Sequence, residues 1–161
     1  MSDSIALLFH SFQKGTPQKP EGFYRGTLLQ LLPKTPTEQV GTLLSHLFLP
    51  WKGKQFSSKD QRGINILPSF MSPFLSLVFP KAVEKKDSYG VSAFPFQTKE
   101  TKGIQDTITV IQLDYNQPTN PPRVRQVIDE IVSIGTDTFL GKAFLLEKDT
   151  PRLVAFFRLE R

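Results

Sequence analysis

Five short runs decide the fold: KGKQFSS (52–58), RGINILP (62–68), PFLSLVFP (73–80), YGVSAFPFQT (89–98) and DTITVIQLDY (106–115). Most carry Phe, Val, Ile or Thr, which suit a pleated, half-buried surface, and turn residues separate them. That spacing favours an antiparallel barrel or sandwich. In a barrel, the strands 74–79, 91–97, 107–115 and 153–159 send alternate side chains inward.

The flanks fit the same picture. GFYRGTLLQLL (22–32) reads as a strand that follows a break at Gly15, Pro17 and Pro20. Upstream, Ile5, Leu8, Phe9 and Phe12 fall at i, i+3, i+4 and i+7, predicting a short amphipathic helix over 3–12. TPTEQVGTLLSHLF (35–48) predicts an inserted helix over 36–48, with Thr35 as N-cap, Pro36 at N1, Glu38 at N3 and Pro50 as terminator. After the proline-rich NQPTNPP (116–122), residues 124–134 fit both helical spacing and alternation. Their β-branched content favours a helical turn at 121–126 followed by a strand. LGKAFLL (140–146) and RLVAFFRLE (152–160) predict a hairpin, with Asp149 and Pro151 bending its turn.

Of 161 residues, 39% are hydrophobic and 22% charged, as expected of one soluble domain over 1–161 that needs no metal or disulfide staple. Zero cysteines exclude disulfides, thiolate metal sites and cysteine nucleophiles. With His10 and His46 the sole imidazoles, neither a metal site nor a cofactor is expected. A net charge of +5 permits nucleic acid, anionic lipid or acidic small molecules as partners and demands none. The most apolar window, Ile64 to Phe79, is shorter than the ~18 residues of a spanning helix and is broken by Pro68 and Pro73, so no membrane span is expected. Asp3 replaces a basic n-region and the apolar stretch Ile5 to Phe9 is short for a signal peptide, which makes the cytoplasm the default location.

Gly22-Phe23-Tyr24-Arg25-Gly26 forms a G-x-aromatic-x-G unit, followed by Trp51-Lys52-Gly53-Lys54-Gln55-Phe56 and, near the C-terminus, by Leu140-Gly141-Lys142 and Phe156-Phe157-Arg158-Leu159-Glu160-Arg161. This order resembles the GXWXG-type proteins of unknown function, with Tyr24 standing where the family name has tryptophan. The resemblance spans most of 22–161 and implies a lipocalin-like, calycin-type antiparallel barrel with helices at one end and an internal apolar pocket. It implies no reaction.

Within such a barrel, Phe23, Trp51, Phe56, Phe94, Phe96 and Tyr115 are candidates for apolar contact, and Arg25 or Arg123 for orienting an acidic end. The leading expectation is non-enzymatic binding of a small hydrophobic or amphiphilic molecule, weighed evenly against an interior filled by its own side chains. A small isomerase, cyclase or lyase would need Asp114, Asp129 or Glu130 buried as proton carrier, while His46 reads as an ordinary helical histidine. GTDTFLGK (135–142) fails the phosphate-loop pattern: five residues separate its glycines and Ala143 follows the lysine. Gly141 reads instead as a bulge or close-packing position. Lys52, Lys54, Lys59 and Arg62, interleaved with Trp51 and Phe56, sketch a surface for single-stranded nucleic acid; because Asp60 interrupts them, a solvated basic loop is preferred.

Overall fold

The computed structural model describes residues 3–32, 50–87, 90–148 and 150–161. The expected helix 36–48, with His46, and Asp149 at the hairpin turn lie outside the described residues.

The chain is mainly β. After α1 (Asp3–Gln13), strands β1 (Gly22–Leu31), β2 (Gly53–Ser57) and β3 (Arg62–Leu67) lead to a single turn of 3-10 helix (Ser69–Met71) and to α2 (Ser72–Val78). Then come β4 (Val83–Asp87), β5 (Gly90–Lys102), β6 (Thr109–Asp114), a second 3-10 turn (Val124–Gln126), β7 (Val127–Gly135), β8 (Thr138–Glu147) and β9 (Thr150–Glu160). All pairings are antiparallel, in the order β3-β2-β1-β9-β8-β7-β6-β5-β4, and β3 also pairs with β5. That last ladder, from Arg62↔Gln97 to Leu67↔Val91, closes a barrel of eight strands, leaving β4 alongside β5 outside the ring. Among the described residues, closure leaves β4 as the strand with a single neighbour.

Alternation along the strands sorts side chains into two cores. The lumen holds Tyr24, Phe56, Phe96, Ile111, Leu113, Tyr115, Ile131, Phe139 and Phe157 among others. Outside, Val110, Val132, Leu140 and Phe156 meet Phe12, Leu8 and Phe9 of α1. The predicted apolar stripe of α1 therefore packs on the barrel's outer wall, and a bridge between Thr16 and Ser133 ties the chain after it to β7.

Two expectations change. Residues 74–79 are not a strand: Pro73 opens α2, its fixed φ favouring a helix start, and Leu75 is buried on the face that meets the core. Met71 and Phe79, four residues to either side of Leu75, pack on the same core, a helical period hidden by the uniformly apolar run. Pro151 does not bend the hairpin; it lies within β9 opposite Leu146, while Glu147 pairs with Thr150. The predicted helical turn before β7 is the 3-10 turn at Val124–Gln126.

The close-packed glycines have identifiable neighbours. A Cβ on Gly26 would lie 2.2 Å from the Trp51 ring, and one on Gly141 would lie 2.2 Å from the Phe157 ring. Trp51 and Phe157 themselves meet edge to face at 5.8 Å. The second glycine of the G-x-aromatic-x-G unit thus makes room for the tryptophan of the next motif.

Candidate functional site: a buried polar cluster in the barrel lumen

Side chains two apart on a strand share a face. Phe56 of β2 points into the lumen, so Lys54 does too, and across the ladders it stands beside Tyr24 of β1 and Asn65 of β3. From the opposite wall, Asp129 of β7 and Tyr115, which follows β6, point to the same place. Lys54 Nζ donates to Asn65 Oδ1 at 2.8 Å and to the Tyr115 hydroxyl, and lies 3.0 Å from Asp129 Oδ2. The Tyr115 hydroxyl donates to Asp129 Oδ2 at 3.2 Å, and Asn65 Nδ2 donates to the Tyr115 hydroxyl at 3.1 Å. All four residues are buried. The ammonium is also boxed by the rings of Trp51, Tyr115, Phe96 and Phe157, at 5.1 to 5.4 Å from their centroids.

A local irregularity supports this cluster. Register slips between β3 and β5 at Ile64/Asn65, leaving Phe94 as the extra residue, with φ 58°. Bulges re-aim groups in this way. Here the Phe94 carbonyl comes within 3.5 Å of Asn65 Nδ2. On the other side, Asn120 donates to the carbonyls of Pro95 and Tyr115 at 2.7 and 2.9 Å, fastening the proline-rich loop behind Tyr115.

Burial dominates the electrostatics. It pushes the Asp129 carboxyl up and the Lys54 ammonium down, each opposed by attraction between the two, and burial together with Asp129 holds the Tyr115 hydroxyl well above its usual range. Asp129 Oδ1 is buried with no hydrogen-bond partner. A cluster of this kind can hold a polar group that enters the lumen, or pass a proton to it.

Of the residues expected at the site, Phe56, Phe94, Phe96 and Tyr115 are fully buried, and Trp51 packs partly buried against the same core. Phe23 is half-buried; Arg25 and Arg123 are exposed, outside the lumen. Of the expected proton carriers, Asp129 belongs to the cluster and Glu130 is buried on the outer wall. Asp114 is half-buried and accepts from the Asn116 amide. The basic string 52–62 does not form one face, because Lys54 points inward. Lys54 and Asn65 were not anticipated in the lumen, although alternation from Phe56 and from Leu67 pointed there.

Two cavities lie near. One of about 260 Å³ opens at the barrel end formed by the β2–β3 turn, between Lys19, Ser58, Arg62, Lys99 and Glu100, and reaches the lumen residues Phe56 and Ile111. From there the rings of Phe56, Phe96 and Tyr115 follow one another at 5.5 and 5.2 Å toward Lys54. The other, of about 550 Å³, lies outside beside Glu84, Gln97, Asp114 and Gln117.

A second buried ionic group sits under α1. Lys142 of β8 pairs with Asp106 at 2.6 Å and faces the rings of Phe12 and Phe9 at 4.3 and 4.9 Å. Glu130, its cross-strand neighbour, accepts from the Ile104 amide at 2.7 Å. Burial raises the Glu130 carboxyl from 4.5 to about 7. A carboxyl raised in the folded state contributes stability that is fully present below its unfolded pKa and lost as pH rises through the folded one. Between pH 4.5 and 7 this residue therefore makes the protein less stable as pH rises, by up to ~3 kcal/mol. Glu130→Gln is expected to flatten that slope and to raise the urea midpoint most at pH 8; an unchanged slope would contradict this assignment.

No family model and no curated protein sequence matches the chain. Among solved structures, the crystal structure of a protein from Thermomonospora curvata is similar over 97% of this chain and 86% of that one, with a TM-score of 0.54 at 16% identity. At that identity the likeness extends to the fold alone. Among the described residues no helix is long and apolar enough to cross a membrane.

Proposed function

We propose that this lipocalin-like barrel binds a small, mainly apolar molecule whose polar end meets the Lys54–Asn65–Tyr115–Asp129 cluster, and that it does so in the cytoplasm. The observation that carries the proposal is the cluster itself. A buried ion pair gains little stability over apolar packing of the same volume, so four converging polar groups in a greasy lumen favour recognition over scaffolding. The unpartnered Asp129 oxygen favours a ligand that donates a hydrogen bond, and the cavity above Phe56 and Ile111 offers an approach. Exposed Arg25 and Arg123 suit neither end of such a ligand.

Native mass spectrometry of freshly purified protein, with melting curves in dodecanol and dodecanoate, tests the proposal. A bound mass, or a rise in Tm of several degrees that Asp129→Asn abolishes, is the expected result. Apo mass alone with no rise for either amphiphile would overturn it.

A second reading, a small lyase or isomerase, is favoured by one specific feature: a raised carboxyl in hydrogen-bond reach of a tyrosine and a lysine. It predicts that Asp129→Asn retains ligand but loses turnover.

A further inference from the structure

The barrel end opposite the β2–β3 turn is covered by a segment that carries large apolar side chains both inward and outward. Leu75 is buried, and Met71 and Phe79 pack inward, with Phe79 against Phe94 at 5.8 Å. Outward, Phe70, Phe74, Leu77 and Val78 are 75%, 46%, 82% and 45% exposed. Ser69 and Ser76 are exposed among them, but the large side chains of this outer face are all apolar, and an exposed patch of such side chains marks an interaction site.

Charge narrows the partner. From Ile64 to Pro80 no residue carries charge, and directly afterwards Lys81, Lys85 and Lys86 are exposed. Two acidic residues share that stretch, Glu84 and Asp87, and Glu84 is held by Arg62 at 2.6 Å. Aromatic and aliphatic groups thus protrude, and exposed cations follow directly in the chain. A bilayer interface containing anionic lipid accommodates both: the rings and leucine reach the acyl boundary while the ammonium groups meet phosphates.

We infer that the outer face of residues 69–78 is a membrane-docking surface that seats this end of the barrel on anionic lipid. The inference goes beyond ligand binding and does not depend on it, since docking uses neither the lumen cluster nor the cavity.

Co-sedimentation of the full chain with sucrose-loaded vesicles provides the test, using phosphatidylcholine alone and equal parts phosphatidylcholine and phosphatidylglycerol. The wild type is expected to sediment with the mixed vesicles and less with the neutral ones, with binding that weakens as salt is raised. Phe70→Ser with Leu77→Ser is expected to reduce binding roughly tenfold or more, and Lys81→Glu with Lys85→Glu and Lys86→Glu to reduce it comparably, both with unchanged melting curves. Leu7→Ser, which removes an exposed leucine on α1, serves as the control and should bind as the wild type does. The inference is overturned if the wild type stays in the supernatant with mixed vesicles, or if both multiple variants sediment as it does. It is also overturned if sedimentation velocity shows a wild-type dimer that Phe70→Ser with Leu77→Ser dissociates, because the face would then be a self-association surface.

Discussion

Lys54→Met is expected to destabilise the barrel by about 3–5 kcal/mol, because it strands the Asp129 carboxylate in the lumen. The whole stability of a domain this size is on the order of 5–15 kcal/mol, so the variant should melt many degrees lower and fold poorly at elevated temperature. Asp129→Leu is expected to cost a similar amount by stranding the ammonium. The double variant, Lys54→Met with Asp129→Leu, should not cost the sum. With both charges gone the desolvation penalty disappears, and stability should return to within about 1 kcal/mol of wild type or exceed it. Asn65 and Tyr115 retain each other as hydrogen-bond partners at 3.1 Å, so the double variant leaves no new orphan there. Urea unfolding of the four proteins checks this, and additive losses would show that the two residues act independently. Recovery of stability without recovery of ligand binding would separate the cluster's function from its place in the fold.

Gly53→Ala is expected to be the other severe change. Gly53 has φ +155°, and a Cβ there would lie 2.0 Å from the Tyr24 carbonyl oxygen, a backbone atom fixed in the β1–β2 ladder. The substitution must therefore part the two strands at the point where β2 begins and where Lys54 is aimed into the lumen. Backbone strain and overpacking together should cost about 2–5 kcal/mol. Gly135→Ala is the counterpart: no atom lies within 4 Å of the added methyl, and the change should be neutral or slightly stabilising. Equal effects at the two positions would contradict the close approach of β1 and β2.

Much of the barrel was legible because half-buried strands carry a period of two. DTITVIQLDY shows it in part, while RLVAFFRLE, buried on both faces, is marked as a strand by its β-branched and aromatic content instead. PFLSLVFP did not betray its helix: with large apolar groups on nearly every side chain, a period of two and one of 3.6 look alike. Its exposed outer half breaks the rule that large apolar side chains turn inward, and this oddity is what draws attention to it as an interface. The candidate site was half legible. The sequence points to Phe56, Phe96 and Tyr115 in the lumen and to Asp129 as one of three candidate proton carriers. Lys54 belongs by composition to a basic loop, since lysine is a surface residue type, and strand alternation outranks composition in placing it inside. The bulge at Phe94 has one sequence signal, Pro95 directly after it, because a proline inside a strand is confined to edges and bulges; it falls where β3 and β5 close the ring.

The central claim is that the polar end of a bound molecule meets Asp129 and Lys54 inside the barrel. Carbon-13 NMR of the aspartate carboxyl groups, followed with and without saturating dodecanol, tests it most directly. The Asp129 signal, assigned by its loss in Asp129→Asn, is predicted to move on saturation and to change its titration, while the Asp114 signal stays in place. An Asp129 resonance and titration curve that are the same in both samples would contradict the claim.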